Sequence, residues 1–207
     1  LLARKEIQIN QADKSGATPL LITCQKGYLE VVRLLLARKE VQINQATENG
    51  ATPLSVASTK GHVDVVRLLL ARKEIQINQA KIDRATPLFI ACFQGHVDVV
   101  RLLLARKEIQ INQCTNQNIT PINTASDYGH TDIVKLLLAQ PNIDINKQDI
   151  WGDTPESRAI IQGHTAIATL LQQHSSVSML SKKQRKKTRK KMKSAIASGD
   201  ADQVKTL

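Results

Sequence analysis

The chain has 207 residues, of which 42% are hydrophobic and only 2% aromatic. This composition excludes a polar disordered chain, and the shortage of large rings favours thin helical layers filled with Leu, Ile, Val and Ala. No apolar run reaches the ~18–20 residues of a membrane span, so none is predicted. Three cysteines without a regular spacing do not make a disulfide framework. We therefore expect an intracellular protein, cytoplasmic or nuclear.

The net charge of +11 is concentrated near the carboxyl end. Residues 1–181 hold 19 basic and 16 acidic side chains, whereas residues 182–207 hold 10 and 2. Residues 182–193 form a basic segment in which nine of twelve residues are Lys or Arg: Lys182, Lys183, Arg185, Lys186, Lys187, Arg189, Lys190, Lys191 and Lys193. Three interpretations stay open for it: a solvated spacer, a nuclear-import signal, or a contact with nucleic acid or another anionic surface. No aromatic residue interleaves the segment, so base stacking has no support.

Self-similarity at a constant step is the strongest pattern in the chain. Three markers recur every 34 residues: a TP motif, a glycine that His follows in four of five copies, and an asparagine that ends IQIN or IDIN. The TP motifs begin at Gly16, Gly50, Arg84, Asn118 and Gly152; the glycines are Gly27, Gly61, Gly95, Gly129 and Gly163; the asparagines are Asn10, Asn44, Asn78, Asn112 and Asn146.

One repeat predicts two short helices joined by a tight turn. Thr52 can cap a first helix that begins at Pro53, where the missing N–H costs nothing, and Gly61 can end it in a left-handed turn. A second helix is predicted over residues 63–71, with apolar residues on one side. A single helix pair cannot bury its apolar side, so we expect neighbouring repeats to stack into one continuous core.

The order TPL, six residues, GH, three residues and VxLLL is similar to the ankyrin-repeat family. The resemblance covers residues 1–174 and implies an all-α solenoid of stacked helix–turn–helix units with short hairpin-like fingers. It predicts the end of a preceding repeat over residues 1–12 and five repeats over residues 13–174. A Ser-rich linker and the basic segment follow over residues 175–193, and the start of a further repeat over residues 194–207.

Two details depart from the family pattern. Its usual Gly after the second helix is absent, with one extra residue that makes the step 34 instead of 33. Its usual His after TPL, which links neighbouring repeats, is replaced by Leu21, Ser55, Phe89, Asn123 and Ser157, so we expect that polar link to be lost. In the fifth repeat, Glu156, Ser157 and Arg158 replace apolar or small residues. A polar face suits a repeat without a neighbour, which predicts that the fifth repeat is a cap.

The resemblance also implies where a partner would bind, because ankyrin repeats contact partners through the finger tips and the concave side of the first helix. The variable positions are the two before each TP-motif glycine, or its equivalent, and the two before each turn glycine. They correspond to Lys14, Ser15, Gln25, Lys26, Glu48, Asn49, Thr59, Lys60, Asp83, Phe93, Gln94, Asn116, Gln117, Asp127, Tyr128, Ile150 and Trp151, with Phe89 beside them. Three of the chain's five aromatic residues fall on these positions.

Residue types that suit catalysis or metal binding are explained by the repeat. The histidines at positions 62, 96, 130 and 164 recur once per unit, ~8–10 Å apart, which is too far for one metal ion. Cys24 and Cys92 occupy one buried repeat position two units apart and are predicted to be core residues; Cys114 falls in a finger. With no phosphate-binding loop or nucleophile–base pair, the sequence predicts no catalytic residues, no metal and no cofactor.

The leading hypothesis is a non-catalytic protein–protein interaction scaffold whose array is monomeric and binds its partner in the concave groove. Two alternatives remain open. The basic segment could make this a nucleic-acid-associated or nuclear protein, or the array could recruit substrates for an enzyme encoded elsewhere in a longer chain.

Overall fold

The fold is seen in a computed structural model that describes residues 8–176. The contacts divide the chain into two compact units, Leu1–Ala168 and Thr169–Leu207. The first unit holds the array, and of the second unit only residues 169–176, which are helical, are described. The predictions for residues 1–7, for the Ser-rich linker beyond residue 176, for the basic segment and for the repeat-like residues 194–207 lie outside the described residues. The first two residues of the predicted linker, Ser175 and Ser176, are helical.

Helices occur in pairs, and within residues 8–176 there is no strand. The first helices of the five repeats are α1 (Pro19–Lys26), α3 (Pro53–Lys60), α5 (Pro87–Gln94), α7 (Pro121–Asp127) and α9 (Pro155–Ile161). The second helices are α2 (Leu29–Leu36), α4 (Val63–Leu70), α6 (Val97–Leu104), α8 (Thr131–Leu138) and a longer α10 over residues 165–176. The all-α stacked architecture predicted from the repeats is confirmed.

Each first helix begins as its sequence predicts. The hydroxyl of Thr52 accepts a hydrogen bond from the amide of Ser55 at 3.1 Å, and the Ser55 hydroxyl accepts one from the amide of Thr52 at 2.8 Å. Pro53 follows as the first helical residue, and Gly61 ends the helix with φ of +70°. All five Thr-Pro starts share the bond to the threonine hydroxyl, and those before Ser55, Asn123 and Ser157 also have the reciprocal bond, so local sequence sets the position of every first helix.

The core is a row of small and branched side chains that repeats along the array. The alanines at positions 57, 91, 125 and 159 in the first helices, and the valines at positions 32, 66, 100 and 134 in the second helices, have no exposed surface. Cys24 and Cys92 are equally inaccessible, as predicted. Small side chains let the helices of successive repeats approach closely, which explains why the core needs no large rings.

The turn glycines and the histidines that follow them form contacts between repeats. The imidazole of His96 lies so close to Gly61 that a Cβ there would be 2.7 Å from the ring. Its Nε2 is 3.0 Å from the carbonyl oxygen of Thr59 in the preceding repeat. The same pairing recurs for His62, His130 and His164. The histidine ladder is therefore part of the stacking interface.

The asparagine marker is a clasp between repeats. The Asn78 carboxamide donates to the carbonyl of Glu108 at 2.8 Å and accepts from the amide of Gln110 at 3.0 Å. Asn10, Asn44 and Asn112 form the same two bonds with the repeat that follows each of them. The sequence showed these residues as a periodic marker but did not show their partners.

The fingers are the turns that precede the first helices, over residues 13–17, 47–51, 81–85, 115–119 and 149–153. Each is closed by a backbone bond such as Lys81 N–H to Ala85 carbonyl at 3.0 Å. Neighbouring fingers are joined by single backbone bonds, for example Asn116 N–H to Asp83 carbonyl at 3.0 Å. Because each finger is tied to the next, the tips are held in a row.

The expected loss of the polar link after TPL is wrong for the fourth repeat. The side-chain amide of Asn123 donates to the carbonyls of Lys147 and Asp153 in the fifth repeat, at 3.4 Å each. Asn123 is 1% exposed, so these weak bonds occupy a site closed to water. An amide that reaches the next finger thus takes over the linking role that the family assigns to histidine.

Candidate partner-binding groove

The first unit carries an open groove of about 850 Å³ between the first helices and the fingers of repeats two to five. One wall consists of finger residues and the other of the exposed sides of α3, α5, α7 and α9. Its lining residues are Asn49, Ala51, Ser55, Val56, Thr59, Lys81, Asp83, Ala85, Phe89, Ile90, Phe93, Gln94, Thr115, Asn116, Gln117, Ile119, Asn123, Thr124, Asp127, Tyr128, Trp151 and Arg158.

The middle of the groove is apolar because the third repeat contributes large hydrophobic side chains. Phe89, Ile90 and Phe93 on α5 line it together with Val56 and Ile119 from the neighbouring repeats. In the second and fourth repeats, Ser and Asn replace Phe89. The apolar surface is therefore confined to the centre of the groove and has polar residues on both sides.

Two aromatic rings form an exposed pair beside this apolar centre. The ring centroids of Phe93 and Tyr128 are 4.7 Å apart and the planes meet at 67°, an edge-to-face arrangement. Tyr128 also stacks on His130, with 6.3 Å between centroids. Tyr128 remains 52% exposed despite these contacts. The neighbours fix the orientation of a ring whose surface is still open to a partner.

The end of the groove at the fifth repeat carries a carboxylate cluster, which we define as Asp127, Asp149 and Asp153 around Arg158. The guanidinium approaches Asp149 at 2.6 Å, Asp153 at 3.4 Å and Asp127 at 3.9 Å. It also lies 5.0 Å from the centre of the Trp151 ring, a cation–π distance. Three carboxylates share one guanidinium, so the cluster has a net negative charge; Asp127 and Arg158 are its members that line the groove.

Asp149 is the buried member of the cluster and organises the fifth finger. Its carboxylate accepts from the amides of Trp151 and Asp153, at 2.9 and 3.0 Å, and from Arg158. Burial alone raises the pKa of Asp149, but the bonds from the Asp153 amide, Arg158 and the Trp151 amide outweigh it and hold that pKa below its ordinary value. Proximity to the same carboxylates raises the pKa of Arg158 despite its partial burial. Both groups are charged at neutral pH.

The structure brings eleven of the eighteen predicted partner-binding residues into one groove: Asn49, Thr59, Asp83, Phe89, Phe93, Gln94, Asn116, Gln117, Asp127, Tyr128 and Trp151. The other seven do not line it: Lys14, Ser15, Gln25, Lys26, Glu48, Lys60 and Ile150. The first repeat thus contributes nothing to this groove, and the second contributes only two of its four predicted residues.

Sequence reasoning missed one repeat position that lines the groove in every repeat from the second to the fifth. It is the third residue after the TP-motif proline and holds Val56, Ile90, Thr124 and Arg158. A signal was present, since this position varies in chemistry from repeat to repeat, as does the position just before it. Arg158 was interpreted only as part of a polar cap, yet its side chain reaches into the groove.

The remaining side chains that could carry chemistry are the buried cysteine thiols and the groups able to bind a metal. Burial raises the pKa of the Cys24 thiol to about 12 and that of Cys92 further still. Among residues 8–176, no group of three or more His, Cys, Asp or Glu is placed to hold a metal ion. None of the helices in that range is long and apolar enough to cross a membrane.

Comparison with known proteins agrees with the repeat geometry. A family model described as ankyrin repeats, in three copies, matches residues 1–81 and 73–149, and the two matches together span 149 of the 207 residues. A search of curated proteins found no match.

Proposed function

Because this chain belongs to the ankyrin-repeat family, whose repeats generally act as protein–protein interaction modules, we propose that it is a non-catalytic scaffold that binds a protein in the groove. The observation that carries the proposal is the placement of Phe93, Tyr128 and Trp151. A chain with five aromatic residues exposes three of them along one groove, in three consecutive repeats.

The free-energy cost of exposing large rings to water favours a binding role for these rings. Covering a large ring contributes more to stability than covering most other side chains, so a folded chain gains little from leaving rings in water. Tyr128 and Trp151 are 52% and 59% exposed. Tyrosine and tryptophan are also the residues most enriched among binding hot spots, where truncation costs about 2 kcal/mol or more.

The walls of the groove are fixed by contacts within the fold, which favours rigid-body docking of a partner. The rings are fixed by Phe93–Tyr128 packing and by Arg158 beneath Trp151, and the finger wall is tied by backbone bonds from repeat to repeat. A preorganised surface loses little conformational entropy when a partner binds, which raises its affinity for a given contact area.

The test is retention of cellular proteins by the 207-residue chain and two variants. Tyr128→Ala should lose specific partners, with affinities reduced roughly thirtyfold, while the unfolding midpoint in urea changes little. Leu34→Ala is the matched control, since Leu34 is 56% exposed on α2 and does not line the groove.

The proposal requires that the same proteins be retained by wild type and by Leu34→Ala and be lost with Tyr128→Ala. If every retained protein binds Tyr128→Ala as tightly as wild type, the groove is not the binding surface. A large fall in the unfolding midpoint of Tyr128→Ala would show that the ring stabilises the fold instead.

A further inference from the structure

The two ends of the groove differ in charge. At the second repeat its lining residues are Asn49, Ser55 and Thr59, all neutral. In the centre, Lys81 and Asp83 balance each other across 3.5 Å. At the fifth repeat, Asp127 and Arg158 line the groove, and Asp149 and Asp153 contact the same guanidinium from outside the lining, so three carboxylates surround one cation there.

Within the cluster, the Arg158 guanidinium is bound most closely by Asp149, the one carboxylate that a partner cannot reach. Asp149 has no exposed side-chain surface and takes two bonds from Arg158, at 2.6 and 2.9 Å. Asp127 and Asp153 are both 26% exposed and stand at longer distances from the same guanidinium, 3.9 and 3.4 Å. Asp127 also accepts a hydrogen bond from the Gln162 side chain at 3.1 Å and Asp153 one from the Ser157 hydroxyl at 3.2 Å, but neither donor carries a charge. The negative charge of these two partly exposed carboxylates, of which Asp127 lines the groove, is therefore only partly neutralised.

We propose, resting on the proposed function, that the groove selects an extended partner segment that carries an apolar side chain followed or preceded at a fixed distance by lysine or arginine. The apolar side chain packs on Phe89, Ile90 and Phe93. The cation pairs with Asp127 and Asp153. Charge complementarity of this kind contributes chiefly to specificity, because a segment with an acidic residue at that place would be repelled.

The polar side chains of the groove favour an extended segment over a helical one. Gln94 and Gln117 line the groove with exposed carboxamides that make no side-chain hydrogen bond within the described part of the chain. A carboxamide both donates and accepts. An extended segment offers its own backbone N–H and C=O groups to such partners, whereas a helix has already paired them internally.

The repeat spacing sets the distance between the two selected side chains. The apolar centre belongs to the third repeat, Asp127 to the fourth and Asp153 to the fifth, and helices of successive repeats pack about 10 Å apart. An extended chain advances about 3.3 Å per residue, so one repeat corresponds to about three residues. The cation should stand about three to six residues from the apolar side chain.

The experiment selects a displayed library of random 12-residue peptides on the 207-residue chain. Enriched peptides should contain an apolar residue with Lys or Arg three to six positions away, and their affinities should be measured by fluorescence anisotropy. Replacing that cation in a synthetic peptide by norleucine, or introducing Asp127→Asn with Asp153→Asn in the protein, should each weaken binding about tenfold. The two changes together should weaken it no more than either alone.

The matched control is Asp64→Asn with Asp98→Asn, which removes the same charge from the outer helices α4 and α6 and should leave peptide affinity unchanged. Because both double variants lose two negative charges, any electrostatic effect of the basic segment on the peptide is the same in the two. As a second variant, Asp127→Lys should restore affinity for peptides whose cation is replaced by glutamate, which separates charge pairing from damage to the fold.

Failure of this inference differs from failure of the proposed function. If enriched peptides lose binding with Tyr128→Ala but show no preference for cations and no effect of the two Asp→Asn changes, the charge selection is overturned and the groove stands. If no peptide is enriched, the selection of an extended segment is overturned, and the proposed function is decided by the retention of cellular proteins. If enriched peptides bind Tyr128→Ala as tightly as wild type, both are overturned.

Discussion

Arg84 and Asn118 occupy a finger position where the other repeats have glycine. Both have left-handed backbone conformations, with φ of +67° and +58°, matching Gly16, Gly50 and Gly152. A side chain costs about 1–2 kcal/mol in this conformation, and asparagine tolerates it better than arginine. Glycine avoids this cost. Its larger conformational entropy in the unfolded chain offsets about 0.5–1 kcal/mol of that gain.

We therefore expect Arg84→Gly to stabilise the protein by about 0.5–1 kcal/mol. Asn118→Gly should have a smaller effect or none. The free energy of unfolding in urea measures both, and Arg84→Ala is the control because it keeps the Cβ. Equal stabilisation by Arg84→Ala and Arg84→Gly would mean that loss of the charged side chain, and not the backbone conformation, is responsible.

Asp149 makes stability depend on pH. Its folded-state pKa is below the ordinary value of about 3.9, so the unfolded chain binds its proton first as the pH falls. The stabilisation is therefore complete above pH ~4 and is lost as the pH drops through the folded-state pKa. Exposed carboxyls such as Asp13 and Glu74, whose pKa values are also lowered by hydrogen bonds, act in the same direction.

Asp149→Asn isolates this contribution. At pH 7 the variant should be less stable by about 2 kcal/mol, because Arg158 loses its charge-assisted bonds to Asp149 while Asp127 and Asp153 stay beside it. The difference from wild type should shrink as the pH falls from 4 to 2. Urea unfolding at several pH values measures it, and a difference that stays constant down to pH 2 would contradict a charged Asp149 in the folded state.

At the scale of elements, the helices are defined locally and the asparagine clasps join them. Asn78→Ala removes two hydrogen bonds and leaves the amide of Gln110 without its acceptor, which should destabilise the protein by about 1–2 kcal/mol. Asn146→Ala is the matched control, since the side chain of Asn146 is exposed and has no clasp within the described residues. We expect an effect below about 0.5 kcal/mol there. Equal losses for both would show that the clasps contribute nothing specific.

At the scale of the whole molecule, near-identical repeats should unfold together. The segment LLLARKE recurs unchanged at residues 34–40, 68–74 and 102–108, and its arginines at 72 and 106 each donate to a carbonyl of the preceding repeat at 2.9 Å. Similar repeat and interface energies predict one cooperative transition for the central repeats. Hydrogen exchange should be fastest in the outer repeats, and early exchange throughout the third repeat would contradict this view.

The basic segment is a separate question at this scale, because it accounts for most of the net charge and lies outside the described residues. Its role as spacer, import signal or nucleic-acid contact stays a prediction. The proposed charge selection in the groove does not depend on it, since the Asp→Asn comparison is made within one chain.

The sequence by itself determined the repeat length, the helix pairs, the Thr-Pro starts and the glycine turns. These features depend on residues within about one turn of each other, such as Thr52 with Ser55, so local pattern was sufficient. It also identified eleven groove residues through the family resemblance, because the resemblance implies which side of each repeat faces a partner.

Only the tertiary structure decided what each marker contacts and where the groove is charged. His96 contacts the carbonyl of Thr59, 37 residues away in the chain, and Asn78 binds the carbonyl of Glu108, 30 residues away. Arg158 forms ion pairs with carboxylates from two repeats. A periodic pattern shows that positions are equivalent but not which side chains touch, since stacking brings residues about one repeat apart in the chain into direct contact. For this reason Arg158 could be interpreted from sequence as a polar cap residue, whereas packing places it over Asp149 and against Trp151.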